Sequence, residues 1–175
     1  VAVVVADAGK RDRALAELRD PEWKAREAAA RSLADGGRLT PAAVSALARA
    51  LSGDVEWHVR REAARALYAC RPDPALEPIV LSALTAALGD EEWQVRLEAV
   101  RAMGRMGTAA ESALPVLCAF LDDEEWQLRE AALLAMAFIS PGDPAVREAV
   151  RNALTDPEDH IRGTARTLSA HPDFR

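Results

Sequence analysis

The chain has 175 residues, half of them apolar but only 5% aromatic, and a formal charge of -6. An alanine-rich, aromatic-poor composition favours closely packed helices over a sheet, and the acidic balance argues against a protein whose main ligand is the phosphate backbone of nucleic acid. The opening VAVVVADAGK is apolar for only six residues, so it supports neither a signal peptide nor a membrane span.

Helical patterns begin after residues 1–9, which we interpret as the remnant of a preceding segment. The first predicted helix covers residues 10–19, and similar helices are predicted at 41–51, 78–88, 109–121 and 144–154. Thr40 and Pro41 form a capping pair at the start of the second of these, and Pro115 should kink the fourth or make it start late. Each of these helices precedes an aspartate and a further helix.

Those aspartates open five similar segments, DPEWKAREAA, DVEWHVRREAA, DEEWQVRLEAV, DEEWQLREAA and DPEDHIRGTA, at intervals of 34, 36, 33 and 33 residues. A period in this range indicates stacked units that depend on their neighbours for burial. We therefore predict an all-α fold, a right-handed α-solenoid of about five helical hairpins in a single domain spanning 1–175. The repeats, numbered 1 to 5, cover approximately 10–36, 40–70, 74–106, 108–140 and 144–170.

The second helix of each repeat carries the repeated letters, and its positions are counted here from the aspartate as zero. We expect the aspartate to be the N-cap and the glutamate at position two to lie in the first turn, where the helix dipole favours negative charge. Positions five, eight, nine, twelve and thirteen are largely apolar or small, which is one face of an α-helix. Examples are Val59, Ala63, Ala66 and Leu67 in repeat 2. This face should pack inward.

Each repeat contains an aspartate, then Val-Arg or its equivalent, then an alanine. This pattern resembles the HEAT-like repeats of the phycobilisome-lyase type, and the resemblance covers Lys10 to about Ala170. The resemblance implies structural roles at two positions of every repeat, a turn aspartate and an arginine that forms a ladder between repeats. The aspartates are Asp20, Asp54, Asp90, Asp123 and Asp156. The arginines are Arg26, Arg60, Arg96, Arg129 and Arg162. Repeat 5 departs from the pattern, with Asp159 in place of tryptophan and Gly163 inside the helix, as expected of a terminal repeat.

All the tryptophans occupy position three, about 160° from the packed face, and should point outward. In solenoids of this resemblance the second helices line the concave surface. We therefore predict a groove that binds another protein or peptide segment and spans roughly 30 Å, given helix spacings of about 8 to 10 Å. Its candidate residues are Trp23, Trp57, Trp93, Trp126, Tyr68, Leu97, Val100, Leu133 and Arg61.

Two interpretations of the tryptophans stay open. Exposed indole is typical of binding hot spots, and contiguous exposed apolar surface marks partner sites. Alternatively, each ring could fold over its loop and stack on the next repeat's tryptophan, which would only stiffen the solenoid. Both could hold if each ring were half packed and half exposed.

Arginines recur near this face at Arg31, Arg61, Arg65, Arg101 and Arg105. They favour an acidic partner, but neighbouring acidic residues could equally neutralise them as ordinary ion pairs. Arginine beside tryptophan also resembles, in composition only, the groove of HEAT-like DNA glycosylases. A nucleic-acid-binding or glycosylase-like module is therefore an alternative function, against which the net negative charge argues.

The sequence offers no converging set of nucleophile, base and orienting group and no metal-ligand spacing. His58 and His160 lie three repeats apart, and Cys70 and Cys118 are distant thiols typical of a reducing compartment. We expect a non-enzymatic scaffold without a cofactor or metal, a monomer in a bacterial cytoplasm. The resemblance adds one further alternative, an accessory subunit of a bilin-chromophore lyase.

Overall fold

The structure, a computed structural model, describes the backbone of residues 2–35, 39–69 and 73–174, and within these ranges the side chains from residue 9 onward except that of Tyr68. These residues form ten α-helices and no strand. The helices are α1 (Ala2–Glu17), α2 (Trp23–Asp35), α3 (Pro41–Gly53), α4 (Trp57–Ala69), α5 (Glu77–Ala87), α6 (Trp93–Met106), α7 (Leu114–Cys118), α8 (Trp126–Ile139), α9 (Pro144–Ala153) and α10 (Asp159–Ala170). The first helix therefore begins earlier than predicted, within the residues interpreted as a remnant. Cys70 lies outside the described residues.

The chain divides into two compact bodies, residues 1–102 and 103–175. In the N-terminal body α1 packs on α2 and α3 packs on α4, as two successive hairpins. The hairpins stack through α2 against α4, and α3 continues onto α5. The predicted apolar face of repeat 2 is buried, with Val59, Ala63 and Ala66 at 0% exposure. The prediction of one domain over 1–175 stays a prediction.

In the C-terminal body, α8 is the central helix and contacts α7, α9 and α10. The predicted helix 109–121 is interrupted, with 3-10 turns at Gly107–Ala113 and Ala119–Asp122 on either side of α7. Pro115 lies in the first turn of α7. Backbone N–H groups there make no intrahelical hydrogen bond, so a proline is tolerated. The predicted late start of this helix is therefore confirmed. Gly107, with φ at 59°, supplies the left-handed residue directly after α6.

The aspartates do not cap the second helices, and this prediction was wrong. In every repeat the helix begins three residues after the aspartate, whose Oδ1 instead accepts the backbone N–H at position two, at 2.8 Å from Glu22 and 3.0 Å from Glu56. Repeats 3, 4 and 5 make the same bond. The carboxylate therefore shapes the turn before the helix, and in repeats 4 and 5 the glutamate takes the N-cap position ahead of the first turn.

An arginine ladder links successive repeats. Arg60 donates from Nε and Nη2 to both carboxylate oxygens of Asp90, at 2.7 and 2.8 Å, while its Nη1 bonds the backbone oxygens of Asp54 and Val55 in its own turn. Arg26 and Asp54 pair in the same bidentate way. In the C-terminal body Arg129 pairs with Asp156, and Arg162 bonds Asp159 of its own repeat. Arg26, Arg60 and Arg129 thus each contact the next repeat, as the resemblance implies, whereas the contact of Arg162 lies within its own repeat.

Candidate functional site

In the N-terminal body the tryptophans of repeats 1 and 2 meet at one imidazole. His58, at position four of repeat 2, stacks on Trp57 with ring centroids 3.8 Å apart and on Trp23 with centroids 4.8 Å apart. The planes are inclined by 25° and 27°. An indole of one repeat is therefore packed on the next repeat through a histidine, where the sequence suggested the next tryptophan.

The packed rings keep part of their surface in solvent. Trp23, Trp57 and Trp93 are all half-buried. The guanidinium carbon of Arg61 lies 5.3 Å from the Trp57 ring centroid, within cation–π distance. Lys24 lies 5.7 Å from Trp23. The first indoles are thus partly structural and partly available, and both are flanked by cations.

The C-terminal body repeats this arrangement once. Trp126, also half-buried, stacks on His160 with centroids 5.8 Å apart and planes inclined by 15°. His160 occupies the same position in repeat 5 as His58 in repeat 2. Asp159, which stands where tryptophan stood in the other repeats, adds no ring to this stack.

Three predicted groove residues are not available to a partner. Leu97 is 7% exposed, and Val100 and Leu133 are fully buried. The prediction placed them opposite the packed face, but a second helix packs on more than one neighbour; α4, for example, contacts α3 of its own repeat and α2 of the preceding repeat. Position ten therefore belongs to a second buried face, and Ala64 shows the same burial in repeat 2. Tyr68 lies on α4, but its side chain is outside the described residues.

The exposed stripe runs through positions eleven and fifteen. In repeats 1 to 3 position eleven is an exposed arginine, Arg31, Arg65 or Arg101. In repeat 4 the two positions are Leu134 and Phe138, the latter 70% exposed. A count from the packed face at 100° per residue, with both flanks treated as buried, would have found this stripe.

Arginines of this stripe form ion pairs with neighbouring acidic residues, which was the alternative to an acidic partner. Arg101 contacts Glu98 at 2.8 Å, and Arg31 contacts Glu27 at 3.0 Å. Glu62 occupies position eight of the predicted packed face, and its side chain is only 3% exposed although arginines surround it. Arg61 lies 3.2 Å from it. Part of the arginine row is therefore bound to a buried carboxylate.

Among the described residues no group of three histidine, cysteine or acidic side chains could hold a metal ion. His58 and His160 belong to different bodies, and each is engaged in a ring stack. Burial, together with Asp143, raises the pKa of the free Cys118 thiol, which lowers its thiolate fraction. No described helix is both long enough and apolar enough to cross a bilayer.

Solved structures with the same fold are repeat proteins. A designed armadillo repeat protein in complex with the peptide (KR)4 is 20% identical, with a TM-score of 0.76 over 98% of this chain and 84% of that one. An engineered protein is 22% identical, with a TM-score of 0.75 over 98% and 83%. The complex of CpcE and CpcF of phycocyanin lyase from Nostoc sp. PCC7120 is 22% identical, with a TM-score of 0.67 over 93% and 99%. The fold class is therefore the predicted one, an all-α solenoid.

Family assignment follows from the sequence itself. Residues 12–81 and 81–169 match the HEAT repeats, and these matches cover most of the chain. The chain belongs to the HEAT repeat family. No curated protein matches it.

Proposed function

We propose that this chain is a non-enzymatic scaffold that binds a segment of another protein on the second helices of its N-terminal body. The observation that carries the proposal is the pair of half-exposed indoles, Trp23 and Trp57, fixed by their shared stack on His58. Trp93 and Arg61 extend the same set of candidate contacts. Tyr68 and, in the C-terminal body, Trp126 stay candidates from the sequence.

The stack supports binding because it holds the rings before a partner arrives. A tryptophan that is already ordered loses little conformational entropy on association, and a large flat ring offers apolar area to any side chain placed on it. The guanidinium of Arg61, 5.3 Å from the Trp57 ring centroid, adds hydrogen-bond donors beside that apolar area. An aromatic surface flanked by arginine has the composition of an interface hot spot.

A peptide selection tests this proposal without a known partner. A displayed library of random 12-residue peptides is selected on the wild-type chain and counter-screened on Trp57→Ala. We expect peptides that bind the wild type and lose affinity for Trp57→Ala by about tenfold or more, since hot-spot residues contribute about 2 kcal/mol or more.

Ile79→Ala is the matched control, because Ile79 is 45% exposed and lies on α5, which is a first helix of its repeat. Peptides should bind this variant as they bind the wild type. A selection that yields no peptide sensitive to Trp57, in a variant whose circular dichroism remains helical, would refute the proposal and leave the indoles as packing residues.

A second candidate is accessory function in bilin attachment. The likeness to the phycocyanin lyase complex, which extends over 99% of that chain, favours it, and a half-exposed indole could stack on a tetrapyrrole. Titration of bilin with the chain should then shift the visible absorbance, whereas an unchanged spectrum would remove this candidate.

The free Cys118 thiol is in keeping with a reducing cytoplasm; bacterial origin and the monomeric state stay predictions.

A further inference from the structure

Three arginines of the N-terminal body converge on two glutamates, and this set is called the arginine cluster. Glu62 lies 3.6 Å from Nε of Arg31, 3.2 Å from Nη2 of Arg61 and 3.3 Å from Nη1 of Arg65. Glu27 lies 3.0 Å from Arg31 and 3.5 Å from Arg61. The cluster therefore joins α2 of repeat 1 to α4 of repeat 2.

Burial separates the two charges of the cluster into layers. The side chains of Glu62 and Glu27 are 3% and 17% exposed, whereas those of Arg31 and Arg65 are both 47% exposed and that of Arg61 is 30% exposed. The carboxylates lie beneath, and the guanidiniums face solvent. A partner that approaches α2 and α4 meets positive charge, although the whole chain carries -6.

The buried glutamates also hold the guanidiniums in place without using all of their donors. Three guanidiniums carry roughly fifteen N–H donors, and two carboxylates offer roughly eight lone-pair sites. Donors therefore remain for a ligand, and the arginines are ordered before it binds, which reduces the entropy lost on binding. A carboxylate, which accepts two parallel N–H bonds from one guanidinium, fits such a surface.

The positive surface continues beside the cluster. A groove of about 320 Å³ between α1 and α2 is lined by Arg31 and also by Lys10, Arg11 and Asp35. Within the cluster itself three cations meet two carboxylates, which leaves an excess of one positive charge. This local excess is enough to attract a short acidic segment. A long polyanion such as nucleic acid would meet repulsion from the negative remainder of the chain.

We propose that the arginine cluster is the docking site for an acidic segment of a partner protein, whose aspartate or glutamate carboxylates bind Arg31 and Arg65 while a neighbouring apolar side chain packs on Trp57. Arg61 joins the two parts, since it contacts Glu62 and also lies over the Trp57 ring. This inference rests on the proposed function and names the chemistry of its partner.

The test uses the peptide selection described above, repeated on the double variant Arg31→Gln/Arg65→Gln. Peptides selected on the wild type should be enriched in aspartate and glutamate over the starting library, and those selected on the variant should not. A single acidic peptide from the wild-type pool should bind the variant about tenfold more weakly, since each half-exposed charge contributes a factor of about three to five. Its affinity for the wild type should fall as sodium chloride is raised from 50 to 500 mM.

Two controls separate charge from folding and from nonspecific attraction. Arg31→Lys/Arg65→Lys keeps the positive charges above Glu62, so it should fold and still select acidic peptides. Arg166→Gln removes one exposed cation from α10 and should leave both composition and affinity unchanged.

The outcomes distinguish this inference from the proposed function. One result is that the selected peptides depend on Trp57 without being enriched in acidic residues, and another is that their acidic enrichment persists on Arg31→Gln/Arg65→Gln. Either result overturns the arginine site and leaves the scaffold function standing. Displacement of the acidic peptide by a 12-nucleotide oligo(dT) at equal concentration overturns it in favour of a general anion surface. Absence of any peptide sensitive to Trp57 defeats both proposals.

Discussion

At the scale of single residues, the repeated arginine bonds two repeats at once. Arg60, 9% exposed, closes its own turn through two backbone carbonyls and binds the next repeat through a bidentate pair with Asp90. Its pKa is raised above the usual range, first by the hydrogen bond from its side chain to Asp90. Planarity is what allows one guanidinium to reach both partners, which lie on different repeats.

Replacement of this arginine by lysine should therefore be costly. A lysine ammonium keeps the charge but cannot make the bidentate pair and both carbonyl bonds, so we expect Arg60→Lys to lower the free energy of unfolding by about 1–3 kcal/mol. Urea denaturation followed by circular dichroism measures the change. Arg65→Lys, at a half-exposed position, is the matched control and should change stability by less than about 0.5 kcal/mol. Equal losses in the two variants would contradict the assigned role of Arg60.

The residue scale is also where the sequence was least informative about the site. Trp57 and Arg61 could be placed outside the packed face from periodicity alone, and the structure leaves both half-buried. Val100 and Leu133 could not be placed correctly, because a single helical face was taken as the buried one and the flanks that touch neighbouring repeats were not counted. Periodicity places Glu62 on the packed face, but nothing in a single sequence marks that Arg31 of the preceding repeat covers its carboxylate together with Arg61 and Arg65.

At the scale of helices, two glycines show opposite packing. Gly104, near the end of α6, lies so close to α8 that an added Cβ would be 2.9 Å from the Cα of Ala135. Gly163, inside α10, has no atom within 4 Å of an added Cβ. Glycine permits close helix contact at the first position, whereas at the second it only reduces helix propensity.

Alanine substitution should separate these two cases. Gly104→Ala forces the α6 and α8 backbones apart, and we expect a loss of about 1–3 kcal/mol despite the better helix propensity of alanine. Gly163→Ala should instead gain about 0.5–1 kcal/mol. Thermal denaturation of the two variants beside the wild type gives the comparison. If both stabilise the chain, the close approach of α6 to Ala135 is not a constraint.

Helix existence was more predictable than helix boundaries. The apolar period of 3.6 residues and the capping pair Thr40-Pro41 placed their helices well, and the side chain of Thr40 does accept the N–H of Ala43. The second helices begin two residues later than an aspartate N-cap would place them. Aspartate before a helix is compatible with a cap or with an Asx turn, and only the pairing of Asp54 with Arg26 of the preceding repeat shows why the turn is adopted here.

At the scale of the whole molecule, the ladder makes stability depend on ionised carboxylates in both bodies. Burial would raise the pKa values of Asp54 and Asp90, but hydrogen bonds from Arg26 and Arg60 and from backbone N–H groups outweigh it and hold both below the usual range. For Asp156 the hydrogen bond from Arg129 is the main cause of the lowered pKa. A carboxyl whose pKa is lower in the folded chain stabilises the fold above its unfolded pKa of about 3.9.

Acid should therefore weaken the protein in a defined range. We expect the melting temperature to fall as pH drops below about 4, through the lowered pKa values of these aspartates, as protonation breaks the ladder. Asp54→Asn should be less stable than the wild type at pH 7 and approach it at pH 2, since the asparagine has no charge to lose. Melting curves at pH 7, 5, 4, 3 and 2 test this. A difference between the two proteins that stays constant across the series would contradict the contribution of Asp54.

The ladder also bears on how such a chain can change its number of repeats. In the described pairs the arginine bonds the aspartate of the next repeat, as Arg26 does with Asp54 and Arg60 with Asp90. A gene duplication or deletion of one whole period, wherever its endpoints fall, rejoins an arginine to an equivalent aspartate and leaves no unmatched charge at the junction. An event of any other length breaks the register. Selection for paired charges therefore favours changes in length by whole repeats.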